Sequence, residues 1–169
     1  MDLGTAPLAP IGADDHVRGQ GPEAVLYLDL ACPHCAMTWL EVRDLPLRLC
    51  VRHFPVESKR PRAPVLHAAS EAVAGLGGEQ AFWSFWDSLY EDRGHQDDPH
   101  LWSRAEALGL DVNRFDADRR GEAAVARVRS NFYGGIRAGV MGTPTAFIGG
   151  EQIQVEVADR LRAAAERSA

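Results

Sequence analysis

The sequence predicts one α/β domain in which a long helical segment interrupts a small sheet. Three observations support this: a strand–helix–strand pattern near the N-terminus, an almost continuous helical stretch from residue 63 to about 139, and a strand pair joined by Gly149-Gly150. The length of 169 residues fits a single domain. The formal net charge of −6 argues against nucleic acid as a partner, because a phosphate backbone attracts basic surfaces.

The N-terminal part divides into two predicted segments. Residues 1–22 are rich in Pro, Gly, Ala and Asp without a clear period, which indicates an irregular arm. Residues 23–62 begin with an apolar run at 25–28 that is typical of a strand buried on both faces. A short helix can follow, since Pro33 suits a first helical position, and strand character returns over 45–54.

The second half is predicted to contain an inserted helical domain and a closing hairpin. Residues 63–139 should form four or five helices, with breaks at Gly77-Gly78, Asp97-Asp98-Pro99, Gly109 and Gly134-Gly135. Residues 140–169 contain two β-prone runs on either side of Gly149-Gly150, which suits a tight turn, and then an Ala-rich amphipathic helix.

Two of the three cysteines form the motif Cys32-Pro33-His34-Cys35 where the first helix should begin. The helix dipole favours a thiolate there by up to ~2 kcal/mol, which lowers the pKa of the thiol by about 1.5 units. Cys32 is expected to face solvent and act as the nucleophile, and a protonated His34 would lower its pKa further. Cys35, deeper in the first turn, would then attack the mixed disulfide and release the partner.

Two other interpretations of this cysteine pair stay open. The pair could be half of a zinc site, but a structural zinc needs four ligands, and the sequence has no second Cys-x-x-Cys and no His-x3-His to supply them. The pair could also be inert and buried, since free cysteines often behave as small apolar residues. Dithiol–disulfide exchange needs neither a metal nor a cofactor, and we expect none.

The chain resembles the DsbA family of thiol-disulfide oxidoreductases, in particular signal-less or antiporter-fused members. The resemblance rests on the Cys32–Cys35 motif after a strand, the helical insertion, and Gly142-Thr143-Pro144-Thr145 before the last hairpin, and it covers residues 15–167. It implies a thioredoxin-like fold with an inserted helical domain. It also implies that Pro144 is a cis-proline facing the cysteines and that Thr143 offers main-chain groups to a substrate peptide.

The chain departs from the thioredoxin pattern at Leu26, where that pattern places a buried acid six residues before the first cysteine. Asp29 and Glu41 are alternative proton acceptors for Cys35, although a solvated strand-end carboxylate is the favoured interpretation of Asp29. Cys50 is expected to be a core thiol, with a regulatory disulfide to Cys35 as the alternative.

The aromatic segment 82–90 is interpreted as part of the core. The alternative is that Trp83 and Tyr90, which lie away from the main apolar stripe, form an apolar shelf for unfolded peptide.

The predicted function is protein thiol–disulfide exchange, in an oxidising, reducing or isomerising direction. The expected partners are proteins or peptides with thiols or disulfides, plus a redox partner of unknown identity. The alternative is a non-catalytic redox-sensing or chaperone-like peptide-binding module. We expect no membrane span, and a cytoplasmic location unless the chain is truncated, because the first residues lack signal-peptide features. The candidate catalytic residues are Cys32, Pro33, His34 and Cys35, and the candidate substrate-binding residues are Thr143 and Pro144.

Overall fold

The computed structural model describes residues 6–168, and its architecture confirms the predicted α/β class. Four helices fill the segment between the two parts of the sheet. The strands are β1 (His16–Arg18), β2 (Glu23–Leu28), β3 (Arg48–His53), β4 (Thr145–Ile148) and β5 (Glu151–Ile153). The helices are α1 (Pro33–Val42), α2 (Ala63–Glu91), α3 (Asp98–Ala107), α4 (Val112–Asp118), α5 (Glu122–Arg137) and α6 (Val157–Arg167).

A mixed sheet in the order β1-β3-β2-β4-β5 forms the centre of the molecule. The neighbours β2 and β3 run parallel, and the other pairs are antiparallel. Residues 24–28 of β2 are all buried, as the apolar run predicted, because one apolar cluster covers each face of the sheet. One cluster contains residues of α1, α2 and α6, and the other is packed against α5.

Strand β1 lies inside the segment predicted to be an irregular arm and corrects that prediction. His16, Val17 and Arg18 pair antiparallel with β3. Just before the strand, the Asp15 carboxylate accepts hydrogen bonds from Arg52 Nε at 3.0 Å and from Arg52 Nη2 at 2.9 Å. A three-residue strand with one apolar member is too short to show a period, so local sequence does not reveal it. Residues 1–5 of the predicted arm lie outside the described residues.

The helical segment breaks at most of the predicted positions but not at Gly134-Gly135. Gly78 has φ +80° and kinks α2, and Gly109 has φ +76° just after α3. Helix α5, by contrast, runs unbroken through Gly134 and Gly135. A Cβ at Gly135 would lie 2.9 Å from ring carbons of Phe54 and Tyr27. This glycine therefore allows α5 to approach the sheet closely.

Cys50 is fully buried, which confirms its interpretation as a core thiol. It packs with Val25 and Tyr27 on one face of the sheet, whereas Cys35 belongs to the cluster on the other face. The alternative of a disulfide between these two cysteines is therefore wrong. Burial raises the pKa of the Cys50 thiol to about 12, so it stays protonated.

The aromatic segment of α2 is mostly core. Phe82, Phe85 and Trp86 are buried as predicted. The shelf interpretation is wrong for Tyr90, because its side chain is buried and its hydroxyl donates to the Asp29 carbonyl at 3.0 Å. Trp83 is half-buried and stacks on Trp39 with ring centroids 5.7 Å apart.

Candidate active site

The first cysteine occupies the N-cap of α1, after the short turn that follows β2. Cys32 has φ −86° and ψ 121°, and its Sγ accepts a hydrogen bond from the Cys35 backbone N–H at 3.4 Å. Pro33 takes one of the first helical positions and has no N–H to leave unpaired. The Cys32 sulfur therefore lies at the positive end of the helix, where an anion is stabilised.

Thr143 and Pro144 approach the same sulfur from the loop before β4. The Thr143 carbonyl oxygen lies 4.0 Å from Cys32 Sγ, and the Thr143-Pro144 peptide bond is cis. Thr145 Oγ1 donates to the Gly142 carbonyl at 2.7 Å, which holds this loop in a tight turn. The structure thus brings the two predicted substrate-binding residues to the cysteine pair.

Cys32 does not face solvent as expected: the residue is 1 % exposed. Its position between the first turn of α1 and the Thr143 carbonyl accounts for this coverage. Cys35 is 0 % exposed, so accessibility does not distinguish the two thiols. Their hydrogen bonds and surrounding charges do.

The two thiols have pKa values displaced in opposite directions. Hydrogen bonding with Cys35 lowers the pKa of Cys32 to about 5, and the positive charge of Arg60 and a hydrogen bond with Thr143 add to this effect. Burial raises the pKa of Cys35 well above its ordinary value, and the neighbouring Cys32 raises it further. At neutral pH, Cys32 is therefore a thiolate and Cys35 a thiol.

His34 lies on the outer side of the first turn of α1. Its side chain is exposed and lines a shallow surface depression with Met37, Glu41 and Val157. The structure places it beside the cysteine pair, and its role in adjusting the reactivity of Cys32 stays a prediction.

Asp29 is completely buried, so its interpretation as a solvated carboxylate is wrong. Its oxygens accept hydrogen bonds from the backbone N–H groups of Ala31 at 2.8 Å and Val56 at 3.0 Å. Its own backbone N–H lies 3.4 Å from Cys35 Sγ. Glu41, the other candidate acceptor, is exposed and pairs with Arg162 at 3.0 Å. Of the two candidates, Asp29 is therefore the buried one, and it contacts Cys35 through its backbone N–H rather than through its carboxylate.

Arg60 is a site residue that the sequence pattern does not predict. It lies between β3 and α2, 3.5 Å from the Asp29 carboxylate, and its charge helps to lower the pKa of Cys32. Nothing local distinguishes it from the neighbouring basic residues Lys59 and Arg62. Only the tertiary fold assigns it to the site.

A family model described as the DSBA-like thioredoxin domain matches residues 38–167, from within α1 to the end of α6. The chain belongs to the DsbA-like thioredoxin domain family. The matched region begins after Cys35, so the cysteine pair is placed in this DsbA-like domain by its position at the start of α1. Family membership confirms the resemblance inferred from the motifs.

Solved structures show the same fold as this DsbA-like domain. The thiol-disulfide exchange protein alpha-DsbA2 from Wolbachia pipientis superposes with a TM-score of 0.77 at 19% identity, covering 93% of this chain and 88% of that chain. A thioredoxin-like oxidoreductase from Silicibacter pomeroyi gives a TM-score of 0.76 at 22% identity, covering 92% of each chain. The predicted thioredoxin-like fold is therefore confirmed.

Curated relatives of this DsbA-like domain include much longer proteins. The Na(+)/H(+) antiporter NhaA 1 of Salinispora arenicola is 36% identical over an alignment of 157 positions that covers 86% of this chain and 23% of that protein. The chain thus spans about a quarter of the length of the curated relatives it matches. Within residues 6–168, no helix combines the length and apolar character that crossing a bilayer requires.

The lowered pKa predicts the pH profile of Cys32 alkylation. A thiol with a pKa of about 5 is almost fully ionised above pH 6, so its iodoacetamide rate should level off there, whereas the rate of an ordinary thiol with pKa 9.0 keeps rising. Mass spectrometry assigns the site, and 240 nm absorbance reports the thiolate.

Because the pKa of Cys32 is lower in the folded than in the unfolded protein, the thiolate stabilises the reduced fold at high pH. This stabilisation is lost as pH falls through about 5.

The control for this profile is the same reduced protein unfolded in guanidinium chloride. There Cys32 should titrate near its ordinary value, because the helix N-terminus, Arg60 and Thr143 no longer surround it. A folded-state midpoint near that ordinary value would contradict the assignment of Cys32 as a thiolate at neutral pH.

Proposed function

We propose that this DsbA-like domain exchanges a dithiol for a disulfide with protein substrates through Cys32 and Cys35. The observation that carries the proposal is the opposite displacement of the two pKa values. At neutral pH, Cys32 is a thiolate that can attack a disulfide, whereas Cys35 stays protonated until the second step. Family membership supports an oxidoreductase. Exchange with protein substrates is our extension of it to this chain.

The first step forms a mixed disulfide. The Cys32 thiolate attacks one sulfur of a substrate disulfide, the S–S bond of the substrate breaks, and the other substrate sulfur leaves as a thiolate. This step removes the negative charge of Cys32, which contributes to raising the pKa of Cys35. Cys35 therefore becomes easier to deprotonate when its thiolate is needed.

The second step releases the substrate. Cys35 loses its proton, which the thiolate released in the first step can take up, and attacks Cys32 Sγ; the Cys32–Cys35 disulfide forms, and the second substrate sulfur leaves as a thiolate. The substrate gains two electrons and the domain loses two.

In the reverse direction, a substrate thiolate attacks the Cys32–Cys35 disulfide and the substrate is oxidised. We propose this oxidising direction, because a stabilised Cys32 thiolate favours the reduced domain and makes its disulfide a stronger oxidant. Turnover then requires a disulfide or other electron acceptor that reoxidises the pair.

The surroundings of the pair support a polypeptide substrate. The Thr143 carbonyl beside Cys32 can accept a hydrogen bond from a main-chain N–H of the substrate. Met141, two residues before Thr143, is 88% exposed and borders an apolar cavity of about 520 Å³ that Phe54 and Phe132 also line. Such a cavity suits an apolar side chain of an unfolded substrate.

A turnover assay tests the proposed function. The domain should accelerate both the reduction of insulin by dithiothreitol and the oxidation of reduced, unfolded ribonuclease with glutathione disulfide as the acceptor. Protein alkylated at Cys32 is the control and should accelerate neither reaction. If the unmodified domain accelerates neither reaction but keeps an unfolded protein from aggregating, the non-catalytic peptide-binding module is correct instead.

A further inference from the structure

A hydrogen-bonded network of histidine and glutamate side chains, largely buried, links the turn after β2 to the surface. His67 Nδ1 lies 2.7 Å from His53 Nδ1, and His53 Nε2 lies 2.5 Å from Glu71 Oε1. The same Glu71 oxygen lies 2.7 Å from His16 Nε2, and His16 Nδ1 lies 2.7 Å from the half-exposed Glu79. His53 and His67 are 1 % and 0 % exposed. Thiol–disulfide exchange through Cys32 and Cys35 uses none of these groups directly.

A single backbone donor determines which ring nitrogens of His67 and His53 carry a proton. The Leu30 N–H donates to His67 Nε2 at 2.9 Å, so this nitrogen carries no proton. The proton of the neutral His67 ring is therefore on Nδ1 and is donated to His53 Nδ1. The His53 ring must then carry its proton on Nε2 and donate it to Glu71.

The charge states of His53 and Glu71 support this assignment of the ring protons. Burial lowers the pKa of His53 to about 4, which keeps its ring neutral. Although burial opposes the effect, hydrogen bonds from His16 and His53 hold the pKa of Glu71 far below its usual value. Glu71 is therefore an anion that accepts the Nε2 proton of His53. Trp86 lies against both His53 and His67, with ring centroids 5.8 Å and 5.9 Å away, and shields this part of the chain from water.

A metal ion is the other use that this cluster suggests, since ligand atoms of His16, His53 and Glu71 lie within 4.8 Å of one another. A metal on His53 Nε2 would need the lone pair of that nitrogen. The His53 proton would move to Nδ1, and His67 would then carry its proton on Nε2, facing the Leu30 N–H. The Leu30 hydrogen bond therefore favours the proton chain over a metal.

The turn that carries Cys32 depends on the residue that His67 binds. Leu30 lies between Asp29 and Cys32, and the Cys32 N–H donates to the Asp29 carbonyl at 3.1 Å to close the turn. His67 Nε2 lies 3.8 Å from the Asp29 carboxylate but directs its lone pair to Leu30. The carboxylate instead accepts from the backbone N–H groups of Ala31 and Val56 and lies 3.5 Å from Arg60, whose charge acts on Cys32.

We propose that His67 is a positioning residue for Cys32. Held with its proton on Nδ1 by His53 and Glu71, it fixes Leu30 and so places the Cys32 sulfur at the start of α1. With the other tautomer, an Nε2–H would turn toward Asp29, compete with Arg60 and release Leu30. The effect on Cys32 reactivity rests on the proposed function, whereas the tautomer itself does not.

The tautomers are measurable in the unmodified chain. Long-range ¹H–¹⁵N correlation spectra of the reduced, ¹⁵N-labelled protein should show His67 protonated on Nδ1 and His53 protonated on Nε2. A His67 ring protonated on Nε2 would overturn the proposal. So would saturable binding of Zn²⁺, added alone, that moves the His53 proton to Nδ1. Neither readout depends on thiol exchange.

Two variants of His67 test the link to Cys32. His67→Leu removes the acceptor for Leu30 and should lower the thiolate fraction of Cys32 at pH 6, and with it the alkylation rate, about threefold, as follows if its pKa rises by about 1.4 units. His67→Gln offers an amide oxygen to the same N–H and should recover most of the rate. His100→Leu, which changes an exposed histidine of α3, is the control and should alkylate like the unmodified chain. A folded His67→Leu protein with the unmodified rate would overturn the proposal, and if that variant fails to fold, the tautomer spectra decide.

Discussion

Replacing Cys32 by serine is expected to abolish thiol–disulfide exchange, because a hydroxyl group does not ionise near neutral pH and cannot form the mixed disulfide. Replacing Cys35 by serine leaves the attacking thiolate in place and keeps a hydrogen-bond donor beside it. That variant should therefore react once and accumulate mixed disulfides on Cys32. Non-reducing electrophoresis with a disulfide-containing substrate, followed by mass spectrometry of the linked peptides, measures both outcomes.

Cys50→Ala provides the control for these variants, since Cys50 is buried on the opposite face of the sheet and its thiol stays protonated. Cys50→Ala should catalyse exchange at the same rate as the unmodified chain and should accumulate no mixed disulfide. Equal trapping by the Cys32 and Cys35 variants would contradict the assignment of one sulfur to attack and the other to release.

Removing the carboxylate of Asp15 is expected to destabilise the fold by about 3–5 kcal/mol, the cost of breaking a buried ion pair from one side. Arg52 is 4% exposed and donates hydrogen bonds from two of its nitrogens to the two Asp15 carboxylate oxygens. In Asp15→Ala, the guanidinium would keep the Tyr27 hydroxyl and the Pro10 carbonyl as acceptors but lose its counter-charge. Urea unfolding followed by circular dichroism measures the loss.

Glu23→Ala is the matched control, because it breaks the exposed pair of Glu23 with Arg48 and should cost less than about 1 kcal/mol. The pH dependence identifies the charge as the cause. Burial opposes the effect, but the hydrogen bond from Arg52 lowers the pKa of Asp15 below 3.8. Its stabilisation is therefore present above about pH 4 and is lost as pH falls toward the folded-state pKa. An equal penalty for Asp15→Ala at pH 3 and pH 7 would contradict this explanation.

The elements that local sequence predicts are those with a local cause. The run at 25–28 forms a buried strand, Pro33 begins a helix, and Gly149 and Gly150 adopt the positive φ angles that a tight hairpin requires. The cysteine motif likewise carries its own chemistry, because the start of a helix is enough to favour one thiolate.

The rest of the site depends on residues distant in sequence. The burial of Asp29 follows from Val56 and Arg60, which lie 27 and 31 positions further along the chain. The coverage of Cys32 follows from Thr143, which is 111 positions away. The break predicted at Gly134-Gly135 is wrong for the same reason, since the packing of Gly135 against Phe54 and Tyr27 depends on how α5 docks on the sheet.

The position of β1 at one end of the sheet has a practical consequence for solubility. It covers the outer side of β3, whose Leu49 and Val51 belong to the core. A shortened chain that starts at residue 23 would leave the N–H and C=O groups along that side of β3 unpaired. An exposed edge strand of this kind readily pairs with a strand from a second molecule. Trimming this protein to its motif-bearing part therefore invites self-association unless residues 15–18 are retained.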